Sequence, residues 1–370
     1  MDAPDLQPRP GRPWKRLAWP ALAVLVAAGI YLAWQHHAHQ RQIYRTQPPA
    51  IMGTETNLAA VATGAQEKRA RRALEEAEAA LRDVEARMSS WIKGTELSLL
   101  NDAPAGELVP LSAMTMEVLR ASRQFADQTQ GAFDVTCRPV IELWKQAGKS
   151  GKLPTKEQID QAVQATGWRH FDLSDQGARK KLAAASLDLG GVAKGYGIDQ
   201  AVAAMRKAGI QSGLVDVGGD VRTFGLRGDG QRWRVGLRDP FHTNRMLAAL
   251  EMGDGSVCTS GNYFRNVTIE GKRFSHIVDP RTGQPVDFAP SVTVIARDAA
   301  TADAWATALS VLGKDGLALI GGSSGIEALI FEGQADDCRL YATSGFRQYL
   351  AEGEKLPKDV TIIGRKPADP

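Results

Sequence analysis

The chain has 370 residues, of which 43% are hydrophobic and 24% are charged, a composition that is ordinary for a globular protein. Its formal net charge of +3 is weak, which argues against binding of nucleic acid. The three cysteines are far apart and form no Cys-x-x-Cys pair, so neither a zinc site nor a redox pair is indicated. A chain of this length holds one large domain or two of medium size.

The N-terminal segment predicts a membrane anchor. Residues 1–16 are rich in proline and arginine and end in Lys15-Arg16, and residues 17–34 then contain no charged side chain. A helix over that stretch spans roughly 27 Å, enough for a bilayer core. Because the positive charges come first, we expect a cytoplasmic 1–16, a single-pass signal anchor over 17–34 and an exported remainder. A cleaved signal peptide is the alternative, but no small-x-small cleavage site follows.

A polar linker is predicted over 35–50, and the folded domain over 51–351. In its first part, Leu74, Leu81 and Met88 share one face of a helix predicted over 66–88. The other predictions here are a strand over 52–62, a loop over 94–101, a helix over 115–129, an extended segment over 132–136, a helical turn over 139–144 and a helix over 155–165.

The most informative stretch is Asp188-Leu-Gly-Gly-Val-Ala-Lys-Gly-Tyr-Gly-Ile-Asp199. It follows small apolar residues that predict a strand over 182–187, and helical spacing begins at Ile198. Glycines allow close approach of a ligand to the backbone, and free N–H groups at a helix start favour an anion. With Lys194 beside them, these features predict a phosphate-binding turn in which Asp188 holds a ribose, a metal or the lysine. A plain strand-to-helix connection is the alternative, and the spacing fits neither the P-loop nor the Rossmann fingerprint.

The second half of the chain is rich in short strands separated by glycine and proline turns. This order favours the α+β class in a single domain over a regular βαβ sheet. Strands are predicted over 212–217, 221–225, 233–237, 246–252, 255–258, 273–278, 292–295, 328–331 and 339–343, a helix over 301–312, and a loosely held tail over 352–370.

Two places in this half offer chemistry. Asp303 and Thr307 are four residues apart on the predicted helix, so they share a face. With a backbone carbonyl from a glycine turn they form an oxygen set that favours magnesium over zinc, although an ordinary acidic residue at a helix start is the alternative. His276 is predicted in the middle of a strand, where a structural histidine is more common than a catalyst. The sequence contains no Gly-x-Ser-x-Gly, so a serine hydrolase is not supported.

Taken together, the motifs resemble the ApbE family, the FAD:protein FMN transferases, over about residues 51–350. In chain order they are Met52-Gly-Thr, Met88-Ser-Ser-Trp91, Glu96-Leu-Ser, Gly131-Ala-Phe-Asp-Val-Thr136, the stretch from Asp188 to Tyr196, Val217-Gly-Gly-Asp220, Thr259-Ser-Gly261, His276-Ile-Val-Asp-Pro-Arg-Thr-Gly283 and Ala302-Asp303 with Thr307-Ala308. The resemblance implies an α+β, ApbE-like fold related to the T-fold, as one catalytic domain preceded by the transmembrane helix.

The resemblance also implies an activity and its residues. The enzyme would need Mg²⁺ and would transfer FMN from FAD, its substrate, through a phosphoester bond to a Thr or Ser of an exported acceptor protein, releasing AMP. The implied catalytic residues are His276, Asp303 and Lys194, and the implied metal ligands are the Gly191 carbonyl, Asp303 and Thr307. The implied flavin contacts are Met52, Trp91, Ala132, Phe133, Asp134, Asp188, Lys194, His276 and Ile277. For the acceptor's proton, His276 and an acidic group near the metal both remain candidates.

The chain departs from the family pattern at three points. Gly197 stands where alanine is expected, Asn262 stands where an acidic residue is common, and an anchor replaces the lipoprotein cysteine. The anchor changes the attachment of the protein and not its chemistry, and Asn262 affects the expectation for a local contact but not for the metal ligands. The predicted location is the inner membrane, with the catalytic domain on the periplasmic side. The alternatives are a magnesium-dependent FAD pyrophosphatase with water as acceptor and a non-catalytic flavin-binding protein.

Overall fold

The computed structural model describes residues 39–242, 244–261, 266–286, 289–320, 324–357 and 359–363, together with isolated positions between 22 and 31. Within these residues β-strands form the framework. They are β1 (Arg41–Thr46), β2 (Thr56–Thr63), β3 (Phe171–Ser174), β4 (Gly177–Lys180), β5 (Gly213–Val217), β6 (Asp220–Phe224), β7 (Trp233–Arg238), β8 (Met246–Met252), β9 (Gly255–Gly261), β10 (Asn266–Ile269), β11 (Lys272–Ser275), β12 (Ser291–Ala296), β13 (Glu327–Glu332), β14 (Arg339–Thr343) and β15 (Thr361–Ile363).

Nine of these strands form one sheet, in the order β1-β2-β5-β6-β9-β12-β13-β14-β15. Neighbouring strands are antiparallel except for β14 and β15, which run parallel. The pairs β3–β4, β7–β8 and β10–β11 are separate two-stranded units. A mainly antiparallel sheet with helices between its strands confirms the α+β prediction.

The described α-helices are α1 (Glu67–Met88), α2 (Glu96–Asp102), α3 (Ala113–Gln128), α4 (Arg138–Ser150), α5 (Lys156–Gln164), α6 (Ala193–Lys207) and α7 (Ala299–Leu312). The predicted helix over 66–88 is confirmed as α1, which buries Leu74, Leu81 and Met88 on one face. The predicted helix over 155–165 is confirmed as α5. Thr155 is its cap, since the Thr155 hydroxyl accepts a hydrogen bond from the Gln158 N–H.

The two faces of the large sheet carry separate apolar cores because side chains alternate along each strand. In β2, Leu58 and Ala60 belong to the core beneath α1, α6 and α7. Ala59 and Val61 belong to the second core, which the β7–β8 hairpin covers. The helical face therefore carries α6 and α7, the two helices on which the predicted metal and phosphate ligands lie.

The structure contains a strand in the predicted linker and another in the predicted tail. Residues 41–46, predicted as part of a linker, form β1, and they pair with β2 from Arg41 opposite Thr63 to Thr46 opposite Leu58. In the predicted tail, Thr361–Ile363 form β15 beside β14. Polar composition misled both predictions, since an edge strand has one neighbour and tolerates polar side chains.

Three local predictions also differ from the structure. Residues 94–101 were predicted as a loop, but α2 begins at Glu96 because the Thr95 hydroxyl caps it by accepting from the Ser98 N–H. The segment 132–136 turns instead of extending, since the Asp134 carboxylate accepts a hydrogen bond from the Thr136 N–H. Residues 182–187 form no regular strand, and their ladder contact is a single bridge from Ser186 to Cys137.

Most of the predicted anchor over 17–34, all of 1–16 and Asn262 lie outside the described residues. Among the residues that are described, no helix is both long enough and apolar enough to cross a membrane.

Candidate active site

Lys194 lies in the first turn of α6 and forms an ion pair with Asp220, the first residue of β6. Asp220 is only 2% exposed, and its Oδ1 also accepts a hydrogen bond of 2.9 Å from the Thr259 N–H. Lys194 was one of the three partners considered for Asp188, and in the structure it pairs with Asp220 instead. A buried carboxylate holds the ammonium at the start of the helix, where the free N–H groups also lie.

Asp303 lies on α7 and faces the same helix start. It is 5% exposed, and its Oδ2 accepts a hydrogen bond of 3.0 Å from the Gly195 N–H. Burial raises the pKa of Asp303, the ammonium of Lys194 opposes that change, and the carboxylate of Asp220 adds to it. Burial by itself would lower the pKa of Lys194, but the two carboxylates outweigh it and raise that pKa. Two carboxylates thus share one ammonium, an arrangement that favours a further cation.

The glycine turn before α6 meets Thr307 directly. A Cβ atom added to Gly191 would lie 3.0 Å from Thr307 Oγ1 and 3.2 Å from Phe133 Cε2. Any other residue at this position would push against both side chains. Three of the predicted site residues are therefore in contact, although they come from distant parts of the chain.

Asp188 is held rigidly at the start of the same turn. Its Oδ1 accepts from the Gly190 N–H at 2.8 Å, and its Oδ2 accepts from the Ser90 hydroxyl at 3.1 Å. The preceding residue is fixed by Asn101, whose amide side chain bonds both the N–H and the carbonyl of Leu187, at 2.7 and 2.9 Å. The Asp188 carboxylate is therefore oriented before any ligand binds.

Met52 and Trp91 both lie near the end of α1. Met52 has a left-handed backbone (φ 53°), and its N–H donates to Glu85 Oε1 at 2.6 Å. Trp91 is 66% exposed, and the Lys145 ammonium lies 3.5 Å from the centre of its ring. The large exposed ring of Trp91 is available for stacking on a flat ligand, with a cation already at hand.

The remaining predicted residues come from two other segments. Ala132 and Ile277 are buried together against Val311, one turn beyond Thr307 on α7. Burial raises the pKa of Asp134, although hydrogen bonds from Thr136 oppose this. The structure therefore brings the 132–134 and 276–277 segments to the end of the same helix that carries the metal candidates.

His276 was predicted in the middle of a strand, and that prediction is wrong. β11 ends at Ser275, and His276 follows it in a bend with an exposed side chain. The strand ends here because the Ser275 hydroxyl accepts the Ile277 N–H, a bond that turns the chain. The segment is held from behind by Trp144, whose ring N–H donates to the Gly283 carbonyl at 2.8 Å while its ring packs on Phe274.

Sequence reasoning missed several residues that shape the site. Asp220 was quoted within a motif but was given no role, and Ser90, Asn101 and Glu85 were not considered as contributors. The signal for Asp220 was present, since an acid directly after two glycines at a strand start lies at a turn that a ligand can approach. The other three act by hydrogen bonds across the fold, which no local pattern shows.

The ApbE family model matches residues 52–330, a range that contains every predicted site residue. The chain is similar to the FAD:protein FMN transferase of Vibrio cholerae, with 32% identity over 276 residues, 74% of this chain and 83% of that protein. It is also similar to the FAD:protein FMN transferase of Escherichia coli K12, with 28% identity over 344 residues, 90% of this chain and 98% of that protein. Among solved structures it matches the flavin transferase ApbE from Vibrio cholerae with a TM-score of 0.73 and 30% identity, covering 84% of this chain and 100% of that chain.

Proposed function

The chain belongs to the ApbE family, and we propose that it is an FAD:protein FMN transferase that moves FMN from FAD to a hydroxyl group of an exported protein. The observation that carries the proposal is the meeting of the glycine turn with α7. There the Gly191 backbone touches Thr307, and Asp303 lies against the helix start that bears Lys194. Anion-binding groups and oxygen donors therefore share one place, as cleavage of a pyrophosphate requires.

The oxygen atoms of this place fit a magnesium ion. Asp303 and Thr307 lie one helical turn apart, and the Gly191 main chain is packed against the Thr307 hydroxyl. In the part of the chain that the structure describes, no cluster of three or more His, Cys, Asp or Glu side chains suits a metal. A small set of protein oxygens suits magnesium, which keeps waters and binds substrate phosphates as well. When bound by Gly191, Asp303 and Thr307, magnesium would draw charge from the pyrophosphate as its bond breaks.

Lys194 and the backbone N–H groups beside it are proposed to bind the phosphate oxygens. The ammonium has three hydrogens, and its ion pair with Asp220 leaves others for a ligand. In the reaction the acceptor oxygen bonds to the phosphorus of the FMN half, and AMP leaves with the bridging oxygen. The hydroxyl proton passes to His276 or to an acidic group near the metal, and exposed His276 can be reached by a protein acceptor.

The flavin itself is proposed to lie between the segments that surround the turn. The exposed Trp91 would stack on the flavin ring system. The Met52 side chain, which lies against Gly197 of α6, would pack beside that ring. Ala132 to Asp134 and Ile277 form a second wall, and Asp188 supplies an oriented carboxylate. The acceptor residue is proposed to be a threonine or serine, because the transfer makes a phosphoester.

We further propose that the protein is held at the inner membrane by residues 17–34, with the catalytic domain outside the cytoplasm. The support is the uncharged stretch itself and the Lys15-Arg16 pair that precedes it. The proposed catalytic domain begins at β1 instead of at residue 51, and it includes β15, because both strands belong to the large sheet.

The test uses the purified full-length protein with FAD, Mg²⁺ and an exported acceptor domain, whose intact mass is then measured. We expect the acceptor to gain the mass of one FMN while AMP is released. Asp303→Ala should abolish this gain, because the oxygen set loses its only carboxylate. Asp315→Ala, which removes an exposed carboxylate just after α7, should leave it unchanged.

The other outcomes separate the alternatives. Free FMN and AMP with no gain on any acceptor would indicate an FAD pyrophosphatase. Intact FAD throughout would indicate a flavin-binding protein. Normal FAD turnover by Asp303→Ala, with circular dichroism matching the wild type, would refute the metal assignment alone.

A further inference from the structure

Asp199, near the middle of α6, reaches across to the start of α7. Its Oδ1 accepts a hydrogen bond of 2.8 Å from the Ala299 N–H, and its Oδ2 accepts one of 2.9 Å from the Ala300 N–H. These are the first two residues of α7, whose N–H groups have no partner within the helix. One carboxylate on α6 therefore bonds two backbone groups of α7.

A third element joins the same carboxylate. Arg222 of β6 forms an ion pair with Asp199 Oδ1, and the two side chains are only 16% and 15% exposed. Burial raises the pKa of Asp199, while the Arg222 guanidinium and the two amides oppose that change. A buried charge with three partners of this kind is costly to leave unpaired, so it holds its neighbours in one arrangement.

Capping alone does not explain Asp199, because α7 already has a cap of its own. Asp298 precedes the helix, and its Oδ1 accepts a hydrogen bond of 2.8 Å from the Thr301 N–H. What Asp199 adds is the position of α7 relative to α6. The two helices touch at this end, since a Cβ on Gly195 would collide with the Ala299 carbonyl oxygen.

The contact between Asp199 and the start of α7 involves the same two helices that carry the candidate site. α6 begins beside Gly191 and carries Lys194, and α7 carries Asp303 one turn after Ala299 and Thr307 one turn later. Any sliding or tilting of α7 against α6 therefore changes the separation between the Gly191 carbonyl and the two α7 oxygens. A magnesium site tolerates such changes poorly, because it demands near-ideal octahedral geometry.

We propose that Asp199 is a positioning residue that sets the spacing between the Gly191 turn and the Asp303–Thr307 face, and thereby the affinity for a divalent cation. The inference rests on the proposed function, in which these three oxygens hold the cation. It assigns Asp199 no contact with FAD or with the metal.

The test compares Asp199→Ala with Asp298→Ala in the full-length protein. Each variant removes one carboxylate that accepts hydrogen bonds from the start of α7. Only Asp199→Ala also removes a link between α6 and α7. Binding of Mn²⁺, an oxygen-preferring probe, is measured by electron paramagnetic resonance with and without FAD. We expect Asp199→Ala to weaken Mn²⁺ binding by about tenfold or more, as loss of an outer partner of a metal site does. The Mg²⁺ concentration for half-maximal FAD turnover should rise in parallel, and saturating Mg²⁺ should restore much of the rate.

Asp298→Ala should lower the melting temperature and leave Mn²⁺ affinity within about twofold of the wild type, a change below 0.5 kcal/mol. The Asp199→Asn variant keeps the shape of the side chain and one acceptor oxygen. Its Mn²⁺ affinity should lie between those of Asp199→Ala and the wild type. This variant also serves if Asp199→Ala does not fold.

Unchanged Mn²⁺ affinity in the Asp199 variants would overturn the proposal even if their FMN transfer fell. An equal loss of Mn²⁺ affinity in the Asp199 and Asp298 variants would overturn it too, since the cause would then be the stability of α7. Failure of the wild type to bind Mn²⁺ with FAD present would overturn the metal site itself, and the proposal with it. That last outcome is distinguishable because it requires no variant.

Discussion

Gly197 shows how a single residue shapes the proposed flavin side of the site. It stands on α6 where alanine is expected in the family, and a Cβ there would lie 2.8 Å from the Met52 methyl group and 3.3 Å from Leu81 Cδ2. The Met52 backbone cannot move away easily, because its N–H is bonded to Glu85. The missing methyl group of Gly197 is therefore the space in which the Met52 side chain lies.

Gly197→Ala should separate stability from substrate binding. Alanine favours the helix by about 0.8–1 kcal/mol, which offsets the crowding, so the free energy of unfolding should stay equal or rise slightly. The Met52 side chain should shift, and a lost contact of about 0.7 kcal/mol raises KM for FAD about threefold. Urea unfolding and steady-state kinetics measure the two effects. A variant that also carries Met52→Ala regains the space and serves as the control for stability, because it removes the proposed flavin contact as well. An unchanged KM in Gly197→Ala would contradict this account.

Among the helices, Glu96 joins three elements behind the site. It begins α2, its Oε1 accepts from Arg87 at the end of α1, and its Oε2 accepts from both the N–H and the hydroxyl of Ser112, the cap of α3. Burial alone would raise the pKa of Glu96, but the hydrogen bonds from Thr115, Ser112 and Arg87 outweigh it and hold the pKa below its usual value. The loop that carries Trp91 lies between α1 and α2, so this junction also anchors that loop.

Glu96→Gln should destabilise the protein in a pH-dependent way. Loss of the charged acceptor should cost about 1.5–3 kcal/mol at pH 7. Because the folded pKa is depressed, this contribution is present above the unfolded pKa of about 4.3 and is lost as pH falls through the folded value. Urea unfolding at several pH values should show the gap to wild type shrinking below about pH 5. Glu107→Gln, at an exposed position, is the control, and a gap that stays constant with pH would speak against the charge as its cause.

For the molecule as a whole, β1 decides where the sheet ends. It pairs along its full length with β2, and Ile43 packs against the core under the β7–β8 hairpin while Tyr44 packs against the helical one. Without β1, the backbone groups along the edge of β2 would be unpaired, and β2 is apolar and well suited to pair with another chain. The edge strand thus protects the sheet as well as extending it.

A protein that begins at His39 should therefore behave differently from one that begins at Gln47. The first keeps β1 and should unfold like the full-length protein. The second loses a ladder whose hydrogen bonds each contribute about 0.5–1.5 kcal/mol, so it should melt at a lower temperature and self-associate. Differential scanning calorimetry and analytical ultracentrifugation at several concentrations measure this. Equal melting temperatures and two monomers would show that β1 is dispensable.

Local patterns in the sequence determined much of the fold and part of the site. The apolar spacing from Leu74 to Met88 predicted α1, and the four-residue separation of Asp303 and Thr307 placed both on one helix face. The glycines, the free N–H groups of the helix start and Lys194 together predicted an anion site at this turn, which is part of the proposed function. Helix periodicity, capping and glycine turns depend on neighbours in sequence, so the sequence suffices for them. The order of the motifs then indicated the family, which the comparisons confirmed.

The tertiary structure decided which of these pieces meet. Lys194 pairs with Asp220 instead of Asp188 because β6 lies beside the start of α6 in the folded sheet. Gly191 touches Thr307 because α6 and α7 pack side by side, and Asp199 fixes that packing. Residues far apart in sequence are brought together by strand order and helix contact, which no local pattern encodes. The sequence therefore predicted many of the helices and strands, whereas the partners of the charged side chains were determined only by the tertiary structure.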